Sequence, residues 1–229
     1  MINVTFVRKQ KVAKDIYSFH FASEGPVRYI SGQFIELYVP HEGVDDRGIK
    51  RWFTLSSSPT ESDLMLTTKI LPKGASSFKK ALNGLKPGAD LMVASPMGDF
   101  VLPKDDSIPL VFVAGGIGCT PFRSIIKFLA DSGQNRDIRL IYSVAHLNDA
   151  VFVDLFEKQL GDRFQLTVSS TDGRLDASKI LKFSEDNLDY YYYVSGPEPL
   201  VESLEASLLE VGVEKSHFLG DYFPGYSTI

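Results

Sequence analysis

The pattern of apolar residues changes near residue 104, and this change is the feature that most constrains the fold. Up to residue 103, short apolar or alternating runs are separated by turn signals such as Gly25-Pro26 and Pro96-Met97-Gly98, which is typical of antiparallel strands in a small barrel. From residue 108 onward, strands and helices are expected to alternate, which predicts a parallel sheet with helices on both faces. We therefore predict a β-barrel domain at residues 1–103 and an α/β domain at residues 104–229.

Composition limits the classes of protein to which the chain can belong. With 229 residues, of which 44% are hydrophobic, it is large enough to bury two ordinary cores. Its 24 basic and 29 acidic residues give a net charge of −5, which provides no basic surface for nucleic acid or anionic lipid. No stretch approaches the roughly 20 apolar residues of a membrane-spanning helix, and the first residues lack the apolar core of a secretory signal. We expect a cytoplasmic protein without a transmembrane segment.

Residues 51–57, RWFTLSS, form a first candidate phosphate site. They place an arginine, aromatic rings and hydroxyls on consecutive strand positions, so alternate side chains share one face. The Arg51 guanidinium can hold a diphosphate with two parallel hydrogen bonds. Farther along, Gly74 and two serines open a predicted helix at residues 76–82, and a helix N-terminus binds phosphate. Taken alone, the two segments also fit an ordinary strand and a serine-capped surface helix.

Residues 115–121, GGIGCTP, form a second candidate site. They follow the apolar run 108–114 and precede a helical pattern, which predicts a strand, a glycine turn and a helix with free backbone N–H groups aimed at an anion. A glycine pattern alone is weak evidence, because a plain tight turn has the same composition. Cys119 lies inside this loop, and we favour a small buried filler as its role. As the only cysteine, it excludes an internal disulfide and a four-cysteine iron–sulfur cluster within this chain.

The two motifs, in this order and at this separation, resemble those of the ferredoxin-NADP reductase superfamily. Its members carry an R-x-[YF]-[ST]-x-x-S flavin motif followed by G-G-x-G-x-x-P, and the likeness covers nearly the whole chain. Residues 96–100, PMGDF, resemble the family turn P-x-G-x-F, which we treat as structural. Residues 195–199, SGPEP, resemble the C-G-P-x-P segment beside the nicotinamide, with Ser195 in place of cysteine. The resemblance implies a flavin-dependent reductase that moves a hydride from NAD(P)H to FAD.

The resemblance also implies a role for individual residues. The Thr54 hydroxyl would lie against the flavin N5, Phe53 would replace the usual tyrosine beside the flavin, and Ser57 would orient the strand end. The turn at residues 74–77 would complete a diphosphate cradle opposite Arg51, which favours FAD over FMN. The implied catalytic residues are Thr54, Ser195, Asp221 and Phe223. The implied cofactor-binding residues are Arg51, Trp52, Phe53, Thr54, Ser57, Thr67, Thr68, Lys69, Gly74, Ala75, Ser76, Ser77, Gly115, Gly116, Gly118, Cys119, Thr120, Pro121, Gly196, Pro197, Tyr222 and Phe223.

Two segments of the second domain bear on the nucleotide and on access to the flavin. Relatives that select NADPH place an arginine at the end of the second strand, where this chain has Ala145, so NADH is favoured over NADPH. The nearby His146 and Arg174 leave NADPH as the alternative nucleotide. In the family, a terminal aromatic segment returns over the flavin face, so Phe223, or next Tyr222, would shield that face. Alternatively, these rings complete the core between the domains.

Because the single cysteine excludes a four-cysteine iron–sulfur cluster within this chain, electrons that leave it would pass to a separate acceptor protein such as a ferredoxin, a flavodoxin or an oxygenase component. Two other functions share most of the same residues. One is an NADPH-dependent ferredoxin or flavodoxin reductase, and the other is an electron-transfer subunit of a larger complex with no independent turnover. No metal site is expected in this chain. The remaining alternative is an α/β protein whose glycines bind no cofactor. It would require several motifs to occur in the right order by coincidence.

Overall fold

In a computed structural model, which describes residues 1–222, the first part of the chain forms an antiparallel barrel. Its strands are β1 (Ile2–Ala13), β2 (Ile16–Ser23), β3 (Phe34–Tyr38), β4 (Lys50–Thr54), β5 (Leu64–Lys69) and β6 (Asp90–Val93). Their order across the sheet is β4-β3-β6-β1-β2-β5. A bridge between Leu55 and Leu66 joins the two edge strands. The predicted barrel is confirmed.

Alternation of side chains along the barrel strands builds the first core. In β3, Ile35 and Leu37 are fully buried, and the alternate residues Phe34, Glu36 and Tyr38 face the other side of the sheet. Helix α1 (Ser77–Gly84) covers one end of the barrel by burying Phe78 and Leu82. It begins after Ser76, whose Oγ accepts a hydrogen bond from the N–H of Lys79 at 3.2 Å, as an N-cap does. The helix predicted at residues 76–82 is therefore present.

The second part of the chain forms a parallel sheet covered by helices. Its elements are β7 (Leu110–Gly115), α2 (Thr120–Ser132), β8 (Ile138–Val144), α3 (Val153–Leu160), β9 (Phe164–Val168), α4 (Ser169–Asp172), α5 (Ala177–Phe183), β10 (Tyr191–Ser195), α6 (Glu198–Glu210) and β11 (Phe218–Asp221). Helices α2 and α3 pack on one face of the sheet, and α5 and α6 pack on the other. The alternation predicted from the sequence is confirmed. No helix within residues 1–222 is long and apolar enough to cross a membrane.

Strand order in this sheet creates a switch point beside β7. The order is β11-β10-β7-β8-β9, so the chain moves outward from β7 on one side and then returns to build the other side. Strand β11 was not predicted, because we interpreted residues 217–226 as an aromatic tail. The structure shows that Phe218 is buried and that β11 pairs with β10 in parallel. The short helix α4 was also not predicted.

The two domains share part of one core. Phe100, which follows the last barrel strand, packs its ring against Phe122 at 5.7 Å and Tyr193 at 5.1 Å between ring centroids. The Tyr193 hydroxyl donates a hydrogen bond to the carbonyl of Val101 at 2.8 Å. Ile16 of the barrel belongs to the same cluster of buried residues. The predicted domain boundary between residues 103 and 104 lies immediately after these contacts.

Candidate active site

The predicted phosphate partners from the barrel lie close together around Asp45. The Asp45 Oδ1 is 3.6 Å from Nη2 of Arg51, and its Oδ2 accepts a hydrogen bond from the N–H of Ser77 at 2.9 Å. The Asp45 N–H donates to the Ser77 hydroxyl oxygen, also at 2.9 Å. Strand β4 and the N-terminus of α1 are therefore opposite each other, as the sequence predicted. Asp45, which the sequence did not single out, connects them.

Arg51 keeps hydrogen-bonding capacity for a further anion. Its Nη1 donates to the carbonyls of Arg47 at 2.6 Å and Lys50 at 2.5 Å. Its Nη2 is buried and has no hydrogen-bond partner within residues 1–222. Gly74, with φ of +80°, makes the turn before α1, and no atom lies within 4 Å of the position of a β-carbon there. A buried guanidinium nitrogen that is paired with Asp45 but makes no hydrogen bond within the described residues, beside an open glycine turn, fits a diphosphate group.

The charges around this cradle are also mainly positive. Lys79 lies in the first turn of α1, and burial, followed by the nearby Arg47 and Arg51, lowers its pKa to about 8. The first turn contains no acidic residue. Cations are unfavourable at the positive end of a helix dipole. Arg47 and Arg51 both pair with the Asp45 carboxylate, and the positive field of Lys79 adds to theirs, so a bound diphosphate would be stabilised here.

The aromatic residues of β4 point to opposite sides. Phe53 is buried in the barrel core, and its ring stacks on Phe78 at 6.0 Å between centroids. Trp52 is 47% exposed and lies 6.0 Å from the ring of Phe34. The role of Phe53 beside a flavin stays a prediction, and Trp52 carries the more exposed ring of this strand. Alternation in β4 accounts for this, because Phe53 pairs with the core residue Ile35.

Hydroxyl groups after β4 are held by hydrogen bonds within the barrel. The Ser57 Oγ accepts from the N–H of Met65 at 2.9 Å and contacts the Tyr29 hydroxyl at 2.9 Å. These two contacts hold Ser57 just after β4, where Ser57 was predicted to orient the strand end. Thr54, Thr67 and Thr68 are also buried at the side of the barrel that closes between β4 and β5. Lys69 at the end of β5 lies 3.7 Å from Asp149 of the other domain.

The glycine loop and the residue 195–197 segment contact each other. Gly115 ends β7, residues 116–119 form a 3₁₀ turn, and Thr120 and Pro121 begin α2. A β-carbon on Gly118 would lie 2.2 Å from the carbonyl oxygen of Ser195 and 2.6 Å from the nitrogen of Gly196. The two predicted nucleotide segments meet at the carboxyl ends of β7 and β10. Open α/β sheets bind ligands at this kind of switch point.

Cys119 is fully buried between the glycine loop and the sheet. Burial raises the pKa of its thiol to about 12, so the reactive thiolate is disfavoured at neutral pH. The location agrees with the interpretation of Cys119 as a small buried filler. It does not place the sulfur on an open surface of the nucleotide loop.

Ser195 and Asp221 form a polar pair at the ends of β10 and β11. The Ser195 Oγ donates to Oδ2 of Asp221 at 3.0 Å, and burial raises the pKa of Asp221 to about 6 despite this bond. A cleft of about 300 Å³ adjoins the pair. Its lining residues are Phe34, Gly98, Asp99, Phe100, Leu219, Gly220 and Asp221.

One residue that lines this cleft is the strand partner of Thr54, the predicted catalytic residue of the barrel. Phe34 pairs with Thr54 across β3 and β4, so Thr54 lies next to the lining of the cleft. Tyr222 is 36% exposed. Phe223 lies outside the described residues. Thr54, Ser195 and Asp221 therefore border the junction between the two domains.

The residues expected to select the nucleotide follow β8 and β9. Ala145, His146 and Arg174 are exposed, and the Ala145 carbonyl accepts a hydrogen bond from the N–H of Ser170 at 3.4 Å. The methyl group of Ala145 offers no charge to a ribose phosphate. The two cationic candidates remain at the surface nearby.

Comparisons with known proteins agree with this geometry. Residues 3–102 match the family model of the oxidoreductase FAD-binding domain. The chain is 27% identical over 233 residues to flavohemoprotein A of Dictyostelium discoideum, covering 94% of this chain and 58% of that protein. It is 26% identical over 238 residues to the glycine betaine monooxygenase reductase subunit of Chromohalobacter salexigens, covering 96% of this chain and 64% of the relative. The chain thus spans about three fifths of these two relatives.

A solved structure shows the same two-domain fold. The ferredoxin-NADP⁺ reductase from Plasmodium falciparum with 2′P-AMP superposes with a TM-score of 0.80 at 17% identity. The match covers 97% of this chain and 96% of that one, so both the barrel and the parallel sheet correspond. The family model matches the barrel domain, and the solved structure matches both domains. Residues 3–102 are thus similar to an oxidoreductase FAD-binding domain, and the two-domain fold is that of the Plasmodium reductase.

Proposed function

We propose that this chain is an NADH-dependent reductase that transfers a hydride to FAD and passes electrons to a separate protein. The observation that carries the proposal is the convergence of two cofactor segments on one domain junction. The glycine loop contacts both Ser195 and strand β5 of the barrel. Asp221 lines the cleft at the same junction, and Thr54 pairs with Phe34 of the cleft lining.

The residues of this chain would bind and orient the cofactors. Arg51, the turn at residues 74–77 and the nearby Lys79 would hold the FAD diphosphate, which would replace the Asp45 carboxylate as the acceptor of the Ser77 N–H. Residues 115–121 and 195–197 would hold the pyridine nucleotide. When bound, FAD supplies the hydride acceptor and can release electrons singly. The protein contributes positioning, exclusion of water and electrostatics.

Asp221 would place a titratable carboxyl group near the reacting rings. Its raised pKa, about 6, means that protonated and ionised forms are both accessible near neutral pH. The Ser195 hydroxyl donates to Asp221 Oδ2 and fixes the orientation of the carboxyl group. Hydride transfer itself needs no general acid, so this pair would tune charge beside the rings.

Two finer features of the proposal concern the cofactors. FAD is favoured over FMN because the cationic cradle at Arg51 and α1 fits a diphosphate. NADH is favoured over NADPH because Ala145 stands where an arginine would hold the 2′-phosphate. The exposed His146 and Arg174 are the residues through which NADPH could still bind.

The acceptor would be another protein, such as a ferredoxin, a flavodoxin or an oxygenase component. The name of the Chromohalobacter relative, a monooxygenase reductase subunit, favours the last class. An NADPH-dependent ferredoxin or flavodoxin reductase and an electron-transfer subunit without independent turnover remain the alternatives. A cytoplasmic location stays a prediction.

Anaerobic reduction of the FAD-loaded chain tests the proposal. We expect NADH to bleach the visible flavin absorption and NADPH to do so with a lower kcat/KM. Bleaching by NADPH alone would refute the NADH assignment. A tightly bound flavin that neither nucleotide bleaches would refute independent turnover and favour the subunit alternative.

A further inference from the structure

Arg123 on α2 reaches across the domain junction. Its Nη1 donates to the carbonyl of Ser56 at 2.9 Å, and its Nη2 donates to Oε1 of Glu61 at 2.9 Å. Nη1 also contacts the second oxygen of Glu61. The guanidinium is 13% exposed and lies 5.7 Å from the ring centroid of Phe152. A bidentate arginine–carboxylate pair of this kind fixes orientation as well as distance.

Neighbouring contacts strengthen this connection. The fully buried Ser124 Oγ donates to the carbonyl of Ser57 at 2.5 Å. Glu61 also accepts a hydrogen bond from the N–H of Ser58 at 2.7 Å. Burial raises the pKa of Glu61, but the bonds from Arg123 and Ser58 outweigh burial and hold it below its usual value. Glu61 is therefore ionised at neutral pH and bound from both domains.

The contacts lie directly beside both predicted cofactor segments. Ser56 and Ser57 follow Thr54 by two and three residues, at the closing edge of the barrel. Arg123 and Ser124 follow Pro121 by two and three residues, in the first turns of α2. Because α2 begins where the glycine loop ends, movement of this helix would carry the loop with it.

We propose that Arg123 is a positioning residue which, with Glu61 and Ser124, fixes the spacing between the flavin segment and the nucleotide loop. The inference rests on the proposed function, because this spacing matters for a hydride that crosses the domain junction. Reacting atoms must approach to about 3–3.5 Å, and a misplacement of about 1 Å can cost roughly 100-fold in rate. The Arg123 side chain contacts the predicted cofactor segments at one point, the Ser56 carbonyl.

Replacement of Arg123 by glutamine tests this role in the FAD-loaded protein. We expect the rate of anaerobic flavin reduction to fall by about 30- to 100-fold, because the domain spacing loosens. The Kd values of FAD and NADH should change by less than about threefold, since Arg123 is outside both predicted binding sets. Arg123→Lys keeps the charge and should recover part of the rate.

Arg139→Gln is the matched control. Arg139 is 19% exposed, pairs with Glu185 and donates to the carbonyl of Phe183 at 3.1 Å, all within the second domain. It should change the reduction rate by less than about twofold, because no contact between the domains is lost. A rate loss in Arg123→Gln no greater than that in this control would overturn the proposal.

Two further measurements keep the test decisive. If Arg123→Gln does not fold, Glu61→Gln removes the same ion pair and should slow reduction by about tenfold. An unchanged rate there would overturn the proposal. Amide hydrogen exchange at residues 56–61 should become faster in Arg123→Gln and not in Arg139→Gln. If neither nucleotide reduces the wild-type protein, the proposed function fails, and exchange decides separately whether Arg123 holds the junction.

Discussion

Replacement of Arg51 by alanine is expected to weaken FAD binding by about 100-fold and to leave riboflavin binding within about twofold. The buried Nη2 of Arg51 has no hydrogen-bond partner within the described chain and faces the N-terminus of α1 through Asp45. A charge-assisted hydrogen bond contributes about 1.5–3 kcal/mol. Loss of one to two such bonds to a partly solvated diphosphate gives about 3 kcal/mol, or roughly 100-fold in Kd.

Arg51 also supports the loop before β4, so the variant needs controls for folding. Its Nη1 holds the carbonyls of Arg47 and Lys50. Arg51→Lys retains a positive charge but loses the bidentate fork, and should weaken FAD binding by about tenfold. Circular dichroism and the unfolding midpoint of each variant would show whether the barrel is intact.

Titration of flavin fluorescence with each protein provides the assay. FAD carries a diphosphate, FMN carries one phosphate and riboflavin carries none. Comparison of their Kd values therefore separates the contribution of phosphate charge from that of flavin ring stacking. An unchanged Kd for FAD in Arg51→Ala would refute the position of the diphosphate. An equal loss for riboflavin would show that Arg51 acts on the fold and not on the phosphates.

Three other variants have defined outcomes. The folded-state pKa of Asp221 is raised from 3.8 to about 6, so its protonated form stabilises the fold at low pH and this stability is lost as the pH rises through 6. In the wild type the free energy of unfolding should fall by about 2–3 kcal/mol between pH 4 and pH 8 through this group, and urea unfolding should show that Asp221→Asn lacks this fall. Gly118→Ala places a β-carbon 2.2 Å from the Ser195 carbonyl oxygen and should lower the free energy of unfolding by about 2–3 kcal/mol, whereas Gly25→Ala, with no atom within 4 Å, should not. Ala145→Arg should shift kcat/KM toward NADPH by about tenfold, and a shift toward NADH would contradict the assignment.

The sequence predicted the elements that local patterns determine. The alternating strands of the barrel, the glycine turn after β7 and the helix that follows it all have strong local signals. Strand β11 has four residues, including Gly220, and its extended conformation depends on pairing with β10. Pairing with a distant strand is not encoded in the local sequence of β11, so the pattern of that segment alone does not predict a strand.

The site was predicted where a motif exists and missed where contacts join distant residues. Arg51 and Ser77 were predicted from the spacing of motifs, and the structure brings them together around Asp45. Asp45 lies in an irregular loop with no pattern of its own. Arg123 and Glu61 are 62 positions apart, so only the fold reveals their contact. Lys79 in the first turn of α1, together with the lack of an acidic residue there, was a local signal that could have indicated the cationic cradle.

The ring of Phe100 has a consequence for how this protein can be divided. Because it packs against Phe122 and Tyr193, a chain cut at residue 103 would carry an uncovered aromatic ring and leave a hole in the remaining half. The halves should therefore melt in one transition and not as separable modules. Exchange of nucleotide domains between relatives should succeed with a junction before Pro96, so that Phe100 travels with the rings that cover it.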